Sequence, residues 1–408
     1  MKLHIDFDSY FVNAERIKNP SLIGVPCVIF AGSNESFFDN HATFNDTNIN
    51  FMSKIEVQRN DIKHIDYKHF TVIAASYEAK SFGIKVGDKL NQAYEKCPNL
   101  KITRSNISYY KQLSLRVKKW LQSQIPVIEQ FSIDEFFADL DGFKKDDEAY
   151  KFAEYIQKEL LNQFKLPASI GIHKSKWSAK LLTDLAKPFG IKMVDDINEV
   201  LKGLDISYFP GIGKKIQQYL RSYGINTLDE LVANPEILNK YGKNGEKLLA
   251  RIKGVDNEEV DEKKDTKSHG ISKSFKPIKD VLELRRRIKI LAKYLCVWIS
   301  KQDVHPRKLT VEIKYNSKTI HTSLDLNQPF YEKNLIDKAL QGFNELINSI
   351  KNKDYNVYYL GLSVFNLDKT YVENIFEVEK NEKAVKLNKT ISNLRERFGI
   401  NCISYTNC

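Results

Sequence analysis

A chain of 408 residues with 42% hydrophobic and 28% charged residues has room for about two to four domains of roughly 100–200 residues each, and is too apolar to be disordered. Its 63 Lys and Arg exceed its 52 Asp and Glu, a net charge of +11, which favours a polyanionic partner. No stretch approaches the ~18 apolar residues of a membrane span, the opening Met-Lys-Leu-His-Ile-Asp lacks the apolar run of a signal peptide, and the five cysteines form no CxxC pair, so the expectation is a cytoplasmic protein without membrane, zinc site or disulfide framework.

Leu3, Ile5 and Phe7 alternate with His4, Asp6 and Asp8, which predicts a strand carrying both aspartates on one face. A helix follows to Lys18 and stops at Asn19-Pro20, and residues 25–30 read as a buried strand. Residues 33–70 are rich in Asn and lose their hydrophobic period, so they read as a long loop or insertion. Strand 71–75 precedes a helix over 77–82 that ends at Gly83. A basic helix over 109–124, a hairpin over 127–140, a helix over 148–163, a strand over 168–172 and a helix over 174–186 complete an alternating α+β pattern. From about 195 the elements turn short and helical, and an acidic linker spans 256–265. A last domain begins near His269 in the order strand, helix (280–301), strand (308–315), strand (319–324), helix (331–351), strand (356–365), and the polar residues 371–408 end in a helix over 380–398. Residues 267–325 hold 14 Lys or Arg against five Asp or Glu.

Three acids stand in apolar strand contexts: Asp6, and the adjacent Asp134 and Glu135 in Phe-Ser-Ile-Asp-Glu-Phe-Phe. A carboxylate on a core strand is costly unless paired or bound to a cation. Gathered together, three would repel, and hard cations such as Mg²⁺ relieve that with oxygen ligands. Neighbours on a regular strand point to opposite faces, so Asp134 and Glu135 can share a site only if the chain bends there; otherwise one of them is a surface acid. Tyr77 and Lys80 lie three apart on one helix face, where they could meet a triphosphate or simply solvent. Lys174, Lys176, Lys180 and Lys187 form a second basic set. Tyr10 and Phe11 are either core aromatics or a wall against a nucleotide sugar. Pro210-Gly211-Ile212-Gly213, with Lys214 and Lys215 behind it, precedes one helix, and Tyr241-Gly242-Lys243-Asn244-Gly245 precedes another. Such glycines let backbone N–H groups approach a DNA phosphate, although an ordinary helix–helix turn uses them too. Lys273, Arg285, Arg307 and Lys308 in the basic last domain are further candidates for DNA contact.

In this order, Ile5-Asp6-Phe7-Asp8 through Pro20-Ser21-Leu22, Ser76-Tyr77-Glu78-Ala79-Lys80-Ser81-Phe82-Gly83, Ser132-Ile133-Asp134-Glu135, Ser169-Ile170-Gly171-Ile172, Ala179-Lys180, Ala186-Lys187-Pro188-Phe189-Gly190 and Pro210-Gly211-Ile212-Gly213 resemble the Y-family, or translesion, DNA polymerases of the bacterial polymerase IV type. The resemblance covers about residues 1–365. It implies an α+β multidomain right hand: a ferredoxin-like palm (1–18 and 106–194), small fingers (19–105), a helical thumb with helix-hairpin-helix (195–260), a linker (261–269), an α/β little finger (270–370) and a C-terminal tail (371–408). By residue match, Asp6, Asp134 and Glu135, with the Phe7 carbonyl, would hold two Mg²⁺ ions. Tyr77, Lys80 and Lys187 would meet the incoming dNTP, and Phe11, beside Tyr10, would be the steric gate against a ribose 2′-OH. The implied activity is low-fidelity, template-directed DNA synthesis without proofreading, by a monomer on primer-template DNA.

Three positions depart from the family pattern: Lys80 replaces the usual Arg and would act as a point charge, His173 replaces a small residue, and the 33–70 segment is longer than usual. Sliding-clamp binding would fall to Glu373-Asn374-Ile375-Phe376, which lacks the expected glutamine. The alternatives are a polymerase V-like subunit that needs accessory proteins, a nucleotide cyclase, which would need no DNA, and a non-catalytic DNA-repair scaffold, which would tolerate loss of Asp6 and Glu135.

Overall fold

The computed structural model describes residues 1–31, 35–38, 70–262, 266–326, 330–351, 355–370 and 378–403. Among them no helix is long and apolar enough to cross a membrane. The chain divides into two compact units, 1–30 with 56–264, and 31–55 with 265–408.

In the first unit, strands β1 (Lys2–Phe7), β2 (Cys27–Ala31), β3 (Thr71–Ala75), β4 (Lys101–Arg104), β5 (Val127–Gln130), β6 (Glu135–Asp139), β7 (Ala168–His173) and β8 (Ile191–Met193) form two sheets. The larger has the order β5-β6-β1-β7-β8. With helices Ile107–Gln124 and Ala149–Phe164 between its strands, its first four strands make the β-α-β-β-α-β unit of a ferredoxin-like domain. Period-two alternation sets its faces. Leu3, Ile5 and Phe7 join Phe136, Ala138, Ile170 and Ile172 in the core under those two helices. His4 and Asp6 take the other face, against helix Lys176–Ala186. That helix can come close because β7 has Gly171 there: a Cβ would stand 2.0 Å from the Ala179 carbonyl oxygen. The smaller sheet, β3-β2-β4, contains a strand and an adjoining helix, Leu90–Lys96, that the sequence reading passed over.

Short helices follow, Lys214–Ser222, Leu228–Ala233 and Lys243–Ile252 among them, around a core that includes Leu220, Leu231, Leu248 and Ile252. The second glycine-rich turn is shorter than expected, because Gly245 already lies inside its helix, packed on the Leu238 carbonyl. The acidic linker is not a loose connector over its described part. Arg251 Nε and Nη2 bind Glu258 at 2.5 and 2.9 Å, Lys2 donates to the Glu258 carbonyl at 2.7 Å, and the Asp261 amide donates to buried Glu129 at 2.9 Å. Among its acids, Glu258 serves as the partner of basic groups of its own unit, Arg251 and Lys247.

The second unit is built from β9 (Ser268–Ile278), helix Val281–Gln302, β10 (His305–Tyr315), β11 (Lys318–Asp325), helix Glu332–Ser349 and β12 (Val357–Asp368). The sheet order is β11-β10-β12-β9, all antiparallel. Leu309, Val311, Ile313, Leu360 and Leu362 face the helices. Two findings depart from the sequence reading. Most of 33–70 lies outside the described residues, but Phe37 and Phe38 are buried in this unit's core, Phe38 beside Phe275 with the Arg287 guanidinium 4.5 Å from its ring. Likewise, the expected C-terminal tail is not free over its described part: helix Val378–Phe398 buries Ile391 and Arg395. Arg395 Nη2 is 2.7 Å from Glu332 Oε1, both side chains are at most 1% exposed, and Asn388 donates to the Phe330 carbonyl at 2.9 Å. Polar composition concealed this docking because the buried contacts are themselves polar.

Candidate active site

The site forms where β1 ends beside the β5–β6 hairpin. Asp6 and Glu135 are directly opposite in the β1–β6 register, so they share a face. Asp134 lies in a bend over 132–134 before β6 begins. Here the chain leaves regular pleating, as a shared site requires. The Phe7 amide donates to the Asp134 carbonyl at 3.1 Å, which locks the bend to β1, and Ser132 Oγ donates to Asp134 Oδ1 at 2.6 Å.

The electrostatics match a site short of positive charge. Burial is the main cause that raises Asp6 to about 7, and Glu135 and Asp134 add to it, although Lys187 opposes the shift. Burial also raises Asp134. Lys187 Nζ binds Asp6 Oδ2 at 2.7 Å and Asp184 at 3.0 Å, and Lys180 pairs with Glu135. Lys187 thus covers Asp6 and Lys180 covers Glu135, and among the described residues no three His, Cys, Asp or Glu side chains close into a cluster. A carboxyl that stays near neutrality in its pKa despite an ion pair is a fit for a further cation, and the donors present are the hard oxygens that Mg²⁺ takes.

The nucleotide candidates surround this point. Ser76 caps helix Tyr77–Ser81 by accepting from the Ala79 amide at 3.1 Å. Arg16 grips Glu78 through two 2.9 Å bonds, which ties the helix to the first one. Half-buried Tyr77 donates to Asp8 Oδ1 at 3.1 Å, and Lys80 Nζ lies 3.1 Å from Ser9 Oγ and over the Tyr77 ring at 4.3 Å. Tyr10 is corrected to a core residue: it is 2% exposed and donates to the Tyr110 carbonyl at 2.6 Å. Phe11 is half-buried and stacks on Tyr110, with centroids 4.6 Å apart. His173, the departure after Gly-Ile, accepts from the Ser175 amide at 2.9 Å at the start of the following helix.

Residues 5–184 match the model of the impB/mucB/samB family, and residues 266–375 match that of its C-terminal domain. The chain belongs to the Y-family DNA polymerases. It is similar to DNA polymerase IV of Staphylococcus aureus strain Mu3, 28% identical over 381 residues, which are 91% of this chain and 97% of that protein. Its fold is similar to that of a Y-family DNA polymerase chimera of Dbh and Dpo4, with a TM-score of 0.74, 23% identity, and coverage of 90% of this chain and 98% of that one. DinB from Sulfolobus solfataricus has a TM-score of 0.55 at 23% identity, with 90% and 99% coverage. The α+β polymerase fold expected from the sequence is therefore found.

The DNA-contact candidates of this Y-family chain sort by face. Gly211, Gly213, Lys214 and Lys215 are exposed at one helix start, and Gly242 and Lys243 at another. In the second unit, Lys308 is exposed on the sheet face opposite the helices, together with Thr310, Ser323 and Ser363. Exposed Arg307 is paired with Asp368. Arg285 is exposed on the helix layer, away from that open face. Lys273 is corrected: its partner across β12 is buried Leu360, so it points to the helix side, with Nζ 4.4 Å from the Phe37 ring. Sequence reasoning left Asp8 and Ser9 without roles and gave Lys180 none beyond a basic set; the Asp6–Asp8 alternation was the available signal for Asp8.

Proposed function

We propose that this chain extends a DNA primer on a template by nucleotidyl transfer, as a low-fidelity translesion polymerase without proofreading. The observation that carries the reading is that Asp6 lies directly opposite Glu135 with Asp134 in the adjoining bend, and that burial together with these two acids raises Asp6 to about 7. Two Mg²⁺ ions held by these carboxylates and the Phe7 carbonyl would lower the pKa of the primer 3′-oxygen and neutralise charge on the phosphates. Lys187 and the Tyr77 hydroxyl would orient the triphosphate, and Lys80 would add a point charge. Lys187 would exchange Asp6 for a phosphate oxygen, which leaves Asp6 free to bind. The primer 3′-oxygen attacks the α-phosphorus, and pyrophosphate leaves.

The flat ring of Phe11, backed by Tyr110, gives the sugar a hydrophobic wall. A ribose 2′-OH would have to displace it or lose its own hydration. Phe11→Ala is therefore expected to raise ribonucleotide over deoxyribonucleotide incorporation by about 10–200-fold, read as the ratio of kcat/KM values. Unchanged sugar selectivity would remove this role.

The two glycine-bearing helix starts and the open, Ser/Thr-rich sheet face of the second unit are proposed to follow the DNA backbone. The palm, fingers, thumb and little finger would take the residue ranges given by the resemblance, with Phe37 and Phe38 reassigned to the little finger. Primer-template affinity should fall with salt, with a slope of about −0.9 per phosphate neutralised in a log–log plot. A dissociation constant independent of salt would contradict this surface. We place the enzyme in the cytoplasm as a monomer. The proposed clamp peptide, 373–376, lies outside the described residues; loss of clamp-stimulated synthesis on changing Ile375 and Phe376 to Ala would support it.

A further inference from the structure

Asp8 is 2% exposed, yet the mechanism above gives it no task. Its two carboxyl oxygens are the meeting point of three separate segments. Oδ1 accepts from the Tyr77 hydroxyl at 3.1 Å and from Ser169 Oγ at 3.0 Å. Oδ2 accepts from the Phe189 amide at 2.8 Å and lies 3.2 Å from the same Ser169 hydroxyl. Phe189 holds a left-handed φ of 49°, which is uncommon for an aromatic residue and needs a local restraint. Two residues before it stands Lys187. One carboxyl thus fixes both the hydroxyl of Tyr77 and the turn that carries Lys187.

The neighbouring residues extend the pattern. Asp6 binds Lys187 at 2.7 Å and Ser9 binds Lys80 at 3.1 Å. The segment 6–9 therefore touches all three side chains assigned to the triphosphate. Asp8 differs from Asp6 in its surroundings: four hydrogen-bonding contacts fill its oxygens, so they are spoken for within the protein. Ser169, on β7 opposite Asp6, supplies the third corner and gives the Ser-Ile-Gly-Ile phrase a use.

We infer that Asp8 is a positioning residue for the incoming nucleotide: it holds Tyr77 and the Lys187 turn at one fixed separation, so that both meet the same triphosphate. The inference rests on the nucleotide reading of Tyr77 and Lys187 proposed above. Asp8→Asn is the sharpest change. An amide keeps the shape but has only one acceptor oxygen, so an NH₂ must face one of the three donors.

The test is steady-state primer extension with the full-length protein, Mg²⁺, a primer-template duplex and one varied dNTP, alongside a DNA-binding measurement. Asp8→Asn should raise the dNTP KM about tenfold, the scale of one lost hydrogen bond. The kcat should stay within about threefold and DNA affinity should be unchanged. Combined with Tyr77→Phe, the rise in KM should be smaller than the product of the two single effects, because both act through one contact. Lys187→Ala separates the two readings. If Lys187→Ala raises KM and Asp8→Asn does not, the positioning role is overturned and the nucleotide reading stands. If Lys187→Ala leaves KM unchanged, the nucleotide reading fails and takes the inference with it. A fall in kcat at constant KM would instead place Asp8 among the metal ligands and overturn the proposal. Should Asp8→Asn not fold, Ser169→Ala removes one donor without touching either nucleotide side chain. It should raise KM about threefold, and an unchanged KM would overturn the role.

Discussion

Glu135→Gln is expected to lower the maximal rate of primer extension by at least about 10²–10³-fold, the scale on which loss of one preorganised electrostatic element lowers kcat. The effect is local. Glu135 lies directly across from Asp6, and in this structure Lys180 neutralises it. Gln keeps the length, the strand register and an oxygen for Lys180, so the hairpin is preserved. What disappears is one negative charge from the set that must hold doubly charged cations. Duplex affinity should stay within about twofold, since the change adds no repulsion toward phosphate. Extension near the wild-type rate would show that Glu135 is merely the partner of a lysine.

The second large effect concerns stability. Arg395→Ala is expected to destabilise the second unit by about 3–5 kcal/mol, because it strands the Glu332 carboxylate in the interior. Glu332 is 1% exposed and Arg395 fully buried, so water cannot take the place of the lost partner. For a unit of this size the melting temperature should drop by roughly 6–20 °C in thermal unfolding. Pairing Arg395→Met with Glu332→Leu should recover most of the loss, since apolar residues of similar volume often replace a buried ion pair without cost. A single change that leaves melting unaltered would mean that the C-terminal helix does not dock as described. Deletion of 371–408 is a poor probe of clamp binding for the same reason, as it would remove Ile391 and Arg395 from a core.

The large sheet and its site were legible because their signals are local. Alternation around Asp6 gave the strand and its faces, and the apolar flanks of Ser132 to Glu135 gave the hairpin. The bend at Asp134 was a requirement that the sequence posed without answering, since it depends on the pairing of two segments far apart in the chain. The fates of Tyr10 and Lys273 were hidden for a related reason. An aromatic residue next to Phe11, or a lysine on a basic strand, looks the same in sequence whether it faces a ligand or a core. Only the packing partner decides, the Tyr110 carbonyl for Tyr10 and Leu360 across the sheet for Lys273. Phe37 and Phe38 escaped notice because their polar surroundings read as loop, and the C-terminal helix was legible while its docking was not, because its polar composition read as a free tail.

Primer extension by Asp134→Ala, measured beside its binding to the same primer-template duplex, tests the whole account most directly. The tie of Asp134 to β1 runs through its backbone carbonyl, which Ala keeps, and its side chain has one hydroxyl partner, Ser132, so its loss should leave the fold intact. The expected result is undiminished duplex binding with extension abolished at saturating dNTP and Mg²⁺. Extension at close to the wild-type rate would contradict the assignment of Asp6, Asp134 and Glu135 as the catalytic centre.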